Sequence, residues 1–401
     1  MTELEKFSDA NVLIDAYRKA RKGSAWKESV QRYQMNLLKN VRKTQKQIRD
    51  KSYKQMDFVE FELRERGTTR PIKSMHISDR VIQRSFCDNE IIPALEKYLI
   101  YDNGASMKEK GIEHHRKRIN THLRKFFMED GTNEGYILLI DFRKFFDNIP
   151  HEKLLEQIEK KVKDKEILAF FKDMIKTFEI DVSYMIDEEY RYCMNVVYNS
   201  LEYRKTVPQE QLTGKKFMKK SLGIGSQISQ ICGVFYPTVI DNYCKIVKGC
   251  KYYARYMDDI YVLHKDKEFL KQLLKEVTSI ANKYGLFINQ KKTQIVKVSH
   301  GFTFLKIKYN LTNTGKIICR LSHDSIVRER RKLKAYARKL QEGKMTYKDI
   351  ENAYQSWRGN AARINSHNSI RQMDRLYNKL FIKDFKGGMY DGQKNGNRTA
   401  N

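Results

Sequence analysis

The sequence contains no uninterrupted apolar run of about 18 residues, the length a helix needs to cross a bilayer, and no amphipathic anchor at its start. Attachment to a membrane is therefore not expected. The opening MTELEKFSDAN lacks the basic start and apolar core of a secretory signal, so a cytoplasmic location is the expectation. Cysteine pairs are missing as well. Cys87, Cys193, Cys232, Cys244, Cys250 and Cys319 are scattered, with no CxxC and no histidine at zinc spacing. That pattern argues against a disulfide framework and a structural zinc site, and predicts reduced, buried small hydrophobes. Internal repeats and long linkers are absent. Acidic charge is in short supply: 49 Asp and Glu face 78 Lys and Arg, a formal net charge of +29. Such an excess favours a polyanionic partner, with nucleic acid as the leading candidate. At 401 residues the chain predicts two or three subdomains around a substantial core.

Residues 10–56 read as basic helices, through AYRKARKG and VRKTQKQIRDK; a solvated helix face competes there with phosphate contact. FVEFELRERGTTRPIKSMHI alternates apolar and polar residues around Gly67, which predicts a β-hairpin. Ser78 is the expected N-cap of the next helix. GYILLIDFRKFFDNIP reads as a buried strand, and HEKLLEQIEKKVKDKEILAFFKDMIKTF as amphipathic helix. Residues 180–220 are Tyr-rich and then basic, an irregular insert with hairpin potential. SLGIGSQISQICGVFYPTVIDNYCKIV is a glycine turn feeding a long helix, and CKYYARYMDDIYVLHKD a strand, turn and strand. LFINQKKTQIVKV and GFTFLKIKYNL read as further strands. From about 321 only helices are expected, then the polar tail KGGMYDGQKNGNRTAN, expected to be disordered. The fold class is α+β, an antiparallel sheet followed by a helical module.

Asp258 and Asp259 interrupt an apolar stretch, RYMDDIYVL. Burying two carboxylates without compensation is costly. A water-exposed hairpin tip is one explanation. The other comes from LLIDFRKFFDNI, which ends a strongly apolar strand on Asp141. If the two strands are neighbours, Asp141 and Asp258, with Asp259 beside them, can hold two divalent ions about 4 Å apart. Mg²⁺ suits oxygen ligands that leave room for water and phosphate, and Mn²⁺ is an expected substitute. Such a pair activates a 3′-hydroxyl and stabilises leaving pyrophosphate. The Phe142 carbonyl is a further expected ligand.

LLIDFRKFFDNI, LGIGSQISQ, ARYMDDIYVL, GLFINQKKTQI and FTFLKIKY stand in the order and approximate spacing of the palm motifs of reverse transcriptases. TTRPIKSMHISDRVIQRSF resembles the fingers motif of bacterial retroelement enzymes, and the resemblance spans roughly residues 55–385. It implies a right-hand polymerase: an N-terminal helical region with fingers (1–130), a palm (131–315) holding the 180–220 insert, a short helical thumb (316–385) and a flexible tail (386–401). It also implies a metal triad of Asp141, Asp258 and Asp259, with Lys292 protonating pyrophosphate and its neighbour Lys291 as the competing register. Phe146 is implied as the aromatic gate that excludes a 2′-hydroxyl, with Phe145 as the competing core residue. Arg70 and Lys73 are implied to grip triphosphate, and Tyr256 and Met257 to line the primer end. Arg328, Arg330, Arg331 and Lys332 are the expected phosphate contacts of the thumb; Tyr354, Trp357 and Leu376 read better as its core.

One departure concerns the usual Pro-Gln-Gly turn, replaced here by Gly223-Ile224-Gly225 and followed by Ser229-Gln230. Gly225 leaves its backbone free to approach the templating pair, beside Gln230, whereas Ile224 cannot make the polar contact of the usual glutamine. This form is similar to that of diversity-generating retroelements and of defence-associated bacterial or phage enzymes, and implies looser checking of the nascent pair. No ribonuclease H domain, HNH-like cluster or protease is expected. The implied partners are a cognate structured, non-coding template RNA, deoxynucleotides and the cDNA product, with a homo-oligomer or accessory protein open. Priming by an RNA hydroxyl competes with a protein primer such as Tyr390. The expected activity is RNA-directed DNA synthesis in antiviral defence. The alternatives are the enzyme of a diversity-generating element, RNA synthesis on RNA, and an RNA-binding protein with little polymerase activity.

Overall fold

Apolar residues at helical spacing build the first layer of the chain. In the computed structural model, which describes residues 3–65, 68–200, 202, 207 and 209–382, α1 (Glu3–Phe7) and α2 (Ala10–Ala20) are followed by α3 (Glu28–Met35) and α4 (Leu37–Arg49). Leu13, Tyr17, Val30, Tyr33 and Val41 pack there against Ile77 and Val81. Polar and charged side chains, basic in excess, occupy the remaining faces, as amphipathic helices require. The hairpin follows: β1 (Val59–Glu65) pairs antiparallel with β2 (Thr68–Ser74), Phe61 opposite Ile72 and Leu63 opposite Arg70. α5 (Ile77–Phe86) continues through a wider turn at Cys87–Ile91 into α6 (Ile92–Leu95). Its cap is His76, not Ser78: the Ser78 N–H donates to His76 Nδ1 at 3.3 Å. A hydrogen-bonding side chain was needed just before the helix, and the imidazole stands two residues earlier.

After α7 (Ile112–Asp130) come β3 (Tyr136–Ile140), α8 (His151–Glu159) and α9 (Lys165–Lys176). The 180–220 insert is a small β-pair, β4 (Ile180–Asp181) with β5 (Phe217–Met218), enclosing α10 (Asp187–Asn195). Then α11 (Gln227–Phe235) and α12 (Thr238–Asn242) lead to β6 (Tyr252–Tyr256), β7 (Asp259–His264), α13 (Lys267–Lys283) and β8 (Gln294–Lys297). The long helix expected after the glycine turn is broken at Pro237, which cannot continue an α-helical ladder. The central sheet has the order β6-β7-β3-β8. Its strands β3, β6 and β7 are largely apolar because both faces are covered, Arg255 being the charge inside β6, and Leu138, Ile140, Tyr253, Ile260 and Val262 join the core with Phe171, Ile228 and Leu273. Each such side chain contributes roughly 1.5–3 kcal/mol of burial.

The described residues divide into two compact units, one running to Phe126 and resuming at Gly135–Val296, the other made of Phe127–Glu134 and the chain from Lys297 on. In the second, β9 (Phe302–Phe304), β10 (Ile307–Leu311) and β11 (Ile317–Leu321) form an antiparallel sheet. They are followed by α14 (His323–Gln341), α15 (Tyr347–Ala362) and α16 (His367–Phe381). Leu333, Ile350, Tyr354 and Met373 are its helical core, with Trp357 and Leu376 packed against them. Cys87, Cys193, Cys232, Cys244 and Cys250 are buried free thiols and Cys319 is half-buried. Among the described residues no helix is long and apolar enough to cross a membrane. Tyr390 and the 386–401 tail lie outside the described residues.

Candidate active site

Register decides where the carboxylates meet. β3 and β7 pair antiparallel with Ile140 opposite Ile260, so the next residue on each strand, Asp141 and Asp259, comes to the same end of the sheet. β6 and β7 are joined through Met257 and Asp258, with Tyr256 opposite Asp259. So tight a turn needs left-handed backbone, and Met257 supplies it at φ +58°, a conformation that costs a side-chain-bearing residue roughly 1–2 kcal/mol. The surroundings hold it there. Arg255 Nη1 donates to the Met257 carbonyl at 3.0 Å, while Nη2 reaches the Val234 carbonyl at 2.7 Å. The same guanidinium is gripped by Asp241 at 2.6 and 2.8 Å, and both side chains are fully buried. Tyr253 adds a hydroxyl bond to Asp241 at 2.6 Å.

Asp141 is fixed from the other side. Asn289 donates through Nδ2 to Oδ1 at 3.0 Å and through its backbone N–H to the Asp141 carbonyl at 2.8 Å. Lys292 Nζ lies 3.0 Å from Oδ2 and its side chain is 66% exposed, a cation at the mouth of the site. Burial, then the charges of Asp258 and Asp141, push Asp259 up to about 7. Asp258 is also raised, first by burial and then by Asp141, while Lys292 and Arg70 pull it back. Neither Asp258 nor Asp259 has an ion-pair partner among the described residues. Three like charges that two cations only partly offset are a site for added positive charge. The donors are all oxygen, the chemistry of Mg²⁺. Among the described residues no group of three His, Cys, Asp or Glu side chains is placed to hold a metal ion together; Mg²⁺ ordinarily binds one or two carboxylates and completes its shell with water and substrate phosphate.

The aromatic pair separates clearly. Phe145 is buried, ring to ring with Phe142 at 5.8 Å. Phe146 is half-buried and lies over Gly233 of α11, where an added Cβ would come within 2.8 Å of its ring. Tyr256 is half-buried, its ring edge-on to His115 at 5.8 Å. Arg70 is exposed on β2 and Gln230 is exposed on α11. Lys73 is not at the surface: it is 9% exposed, its ammonium 5.3 Å from the Phe58 ring and 3.7 Å from Glu60, and burial lowers it to about 8. Its backbone N–H donates to the half-buried Ile224 at 2.9 Å. Gly223 and Gly225 therefore serve a close approach to β2. A Cβ on Gly225 would stand 2.9 Å from the Lys73 carbonyl, and its φ is +123°. Gly225→Ala is expected to lower stability by roughly 1–3 kcal/mol, read as the shift in a denaturant midpoint; an unchanged midpoint would show that this contact yields without cost. In the second unit, Arg328, Arg330 and Arg331 are exposed on α14, whereas Lys332 is half-buried between Glu329 (4.0 Å) and the Tyr336 ring (5.3 Å).

Sequence reasoning missed Asn289, Asp241 and the role of Arg255. The available signal was a charge inside each of two apolar stretches, ARYM and TVIDNY, although nothing paired them. No curated protein matches the sequence. Among solved structures, the chain is similar to a Candida albicans telomerase in complex with a TWJ fragment of telomeric RNA, at 14% identity and TM-score 0.45, covering 81% of this chain and 54% of that one. It is also similar to an apo telomerase of Candida tropicalis truncated from its C-terminal domain, at 16% identity and TM-score 0.41, covering 65% and 54%. The chain spans about half the length of these two proteins. The family described as reverse transcriptase (RNA-dependent DNA polymerase) matches residues 48–309, a stretch that includes Asp141, Asp258, Asp259 and Lys292. With well over half of its length matched, the chain belongs to the reverse transcriptase family.

Proposed function

We propose that this protein is an RNA-directed DNA polymerase that copies a cognate structured RNA into cDNA. The observation that carries the reading is the convergence of Asp141, Asp258 and Asp259 at one end of the sheet, beside the Lys292 ammonium. One or two carboxylates of this set would hold Mg²⁺, with water and substrate phosphate completing its shell, and the ion would supply Lewis-acid activation of a 3′-hydroxyl and neutralise charge on the departing pyrophosphate. Asn289 and the sheet keep Asp141 at its angle. Lys292 sits where it can give a proton to a leaving phosphate oxygen. Arg70, exposed on the hairpin and felt electrostatically by Asp258, grips triphosphate, while the buried Lys73 holds the hairpin against the glycine turn. Tyr256 and the Met257 turn support the primer end. The exposed arginines of α14 take the phosphate backbone of a template–primer duplex, in the role of a thumb. The antiviral role rests on the resemblance of the Gly225 to Gln230 stretch to defence-associated enzymes.

Primer extension by the full chain, on an RNA template with Mg²⁺, tests the reading; dNTP incorporation is expected. Inactivity on every RNA template, with RNA binding intact, would favour the RNA-binding alternative. Phe146 is the member of its aromatic pair with surface to offer a sugar. Phe146→Val is therefore expected to raise rNTP use relative to dNTP by roughly 10–200-fold, the range for removing a steric clash in a pocket. An unchanged ratio in competition assays would move the gate elsewhere.

A further inference from the structure

A cleft of 680 Å³ opens between α3, α4 and the start of α5, apart from the carboxylate site. Tyr33, Tyr53 and Met56 give it flat and apolar surface; Asn36, Asn40 and Gln47 bring amides. Its acidic groups are already engaged. Asp79 accepts from the Tyr53 hydroxyl at 2.9 Å and the Met56 N–H at 3.3 Å, and Glu28 pairs with Arg32 at 2.5 Å. Arg32, Lys39, Lys43 and Lys54, all exposed, stand around the mouth. The volume suits a small organic unit. Amides beside aromatic faces match a nucleobase, and a ring of cations at the opening matches its phosphates.

The cations run beyond the cleft. α4 carries Lys39, Arg42, Lys43, Lys46 and Arg49, every one exposed, and no acidic residue, along a helix about 20 Å long. That is more positive charge than a single nucleotide requires. Nearby, Trp26 is 75% exposed with the Lys27 ammonium 5.8 Å from its ring, and Met35 and Leu38 are 84% and 74% exposed. Exposed apolar side chains among cations suit stacking along a flexible strand. We propose that this cleft receives an unpaired nucleotide of a single-stranded RNA, the base inside and the flanking phosphates on the lysines of α4. The inference rests on the polymerase reading only for RNA as the polyanion; it adds a site that holds the RNA apart from the growing chain.

The test uses the full chain and short homopolymer RNAs, with 4-thiouridine in the uridine series for photocross-linking. Cross-links are expected within residues 28–56. Lys39→Glu with Lys43→Glu is expected to weaken binding by about tenfold or more and to reduce the slope of log affinity against log salt by about two. Ser29→Trp fills the cleft without changing charge, and is expected to erase the preference among homopolymers while leaving the salt slope intact. All three positions are exposed, so melting temperatures should match the wild type. Equal affinity of wild type and double variant, or a homopolymer preference untouched by Ser29→Trp, overturns the proposal. So does full competition by free mononucleotides with no dependence on strand length, which would make the cleft a nucleotide site. Wild-type primer extension run alongside separates the two readings: an active enzyme with indifferent variants sinks the cleft alone, and cross-links in the cleft without any extension sink the polymerase alone.

Discussion

Asp258→Asn is expected to abolish primer extension, by roughly 10³-fold or more, because it removes a charge that the reacting centre depends on. The same change is expected to stabilise the protein in chelator. Asp258 shares one sheet end with Asp141 and Asp259, and only Lys292 and Arg70 offset their mutual repulsion. Replacing a crowded carboxylate by an isosteric amide relieves that repulsion. A rise in melting temperature of about 2–4 °C corresponds to roughly 1 kcal/mol in a protein of a couple of hundred residues, and a shift of this order or smaller is expected here. Added Mg²⁺ should raise the melting temperature of the wild type, by ligand linkage, and have much less effect on the variant. Loss of activity with improved stability is the signature of a group kept for chemistry. Retained extension, or identical Mg²⁺ responses in the two proteins, would show that the carboxylates do not work together.

Much of this site was legible because its parts are local. YILLI, YYARY and DIYVL are apolar on both faces apart from Arg255, which is what a covered sheet demands, and the aspartates stand at their ends. The β1–β2 hairpin showed in its alternation. What stayed hidden depends on contacts between distant residues. LFINQKKTQIVKV was expected to be a strand, yet only Gln294–Lys297 pairs as β8; before it, Asn289 and Lys292 leave the strand direction to hold Asp141. Lys73 carried an implied grip on triphosphate, but its side chain is buried where β2 packs closely against Gly223 and Gly225. Gly225 was recognisable as a position needing freedom, although its partner, the Lys73 carbonyl, lies some 150 residues earlier in the chain and no periodicity marks it.

The buried pair behind the Met257 turn yields the other large effect. Arg255 and Asp241 are each fully buried and bonded at 2.6 Å. Removing one partner leaves the other charge uncompensated in the core, so Asp241→Leu or Arg255→Met alone is expected to cost about 3–5 kcal/mol. Replacing the whole group is different. In the triple variant Asp241→Leu, Arg255→Met, Tyr253→Phe no charge or hydroxyl of the group is left orphaned, and apolar replacements of buried ion pairs are often neutral or stabilising. Stability should therefore return toward wild type, as read from a denaturant midpoint. Activity should not. The Met257 carbonyl still lacks the Arg255 donor, and the left-handed turn that carries Asp258 is free to relax. Misplacement of a reacting group by about 1 Å costs on the order of 10²-fold in rate, so kcat for dNTP incorporation is expected to stay depressed by that order, with KM changed much less. Arg255 is thus a positioning residue, separable from the fold. If the triple variant recovered both midpoint and kcat, the pair would be a structural element alone, and the turn would owe its shape to the sheet.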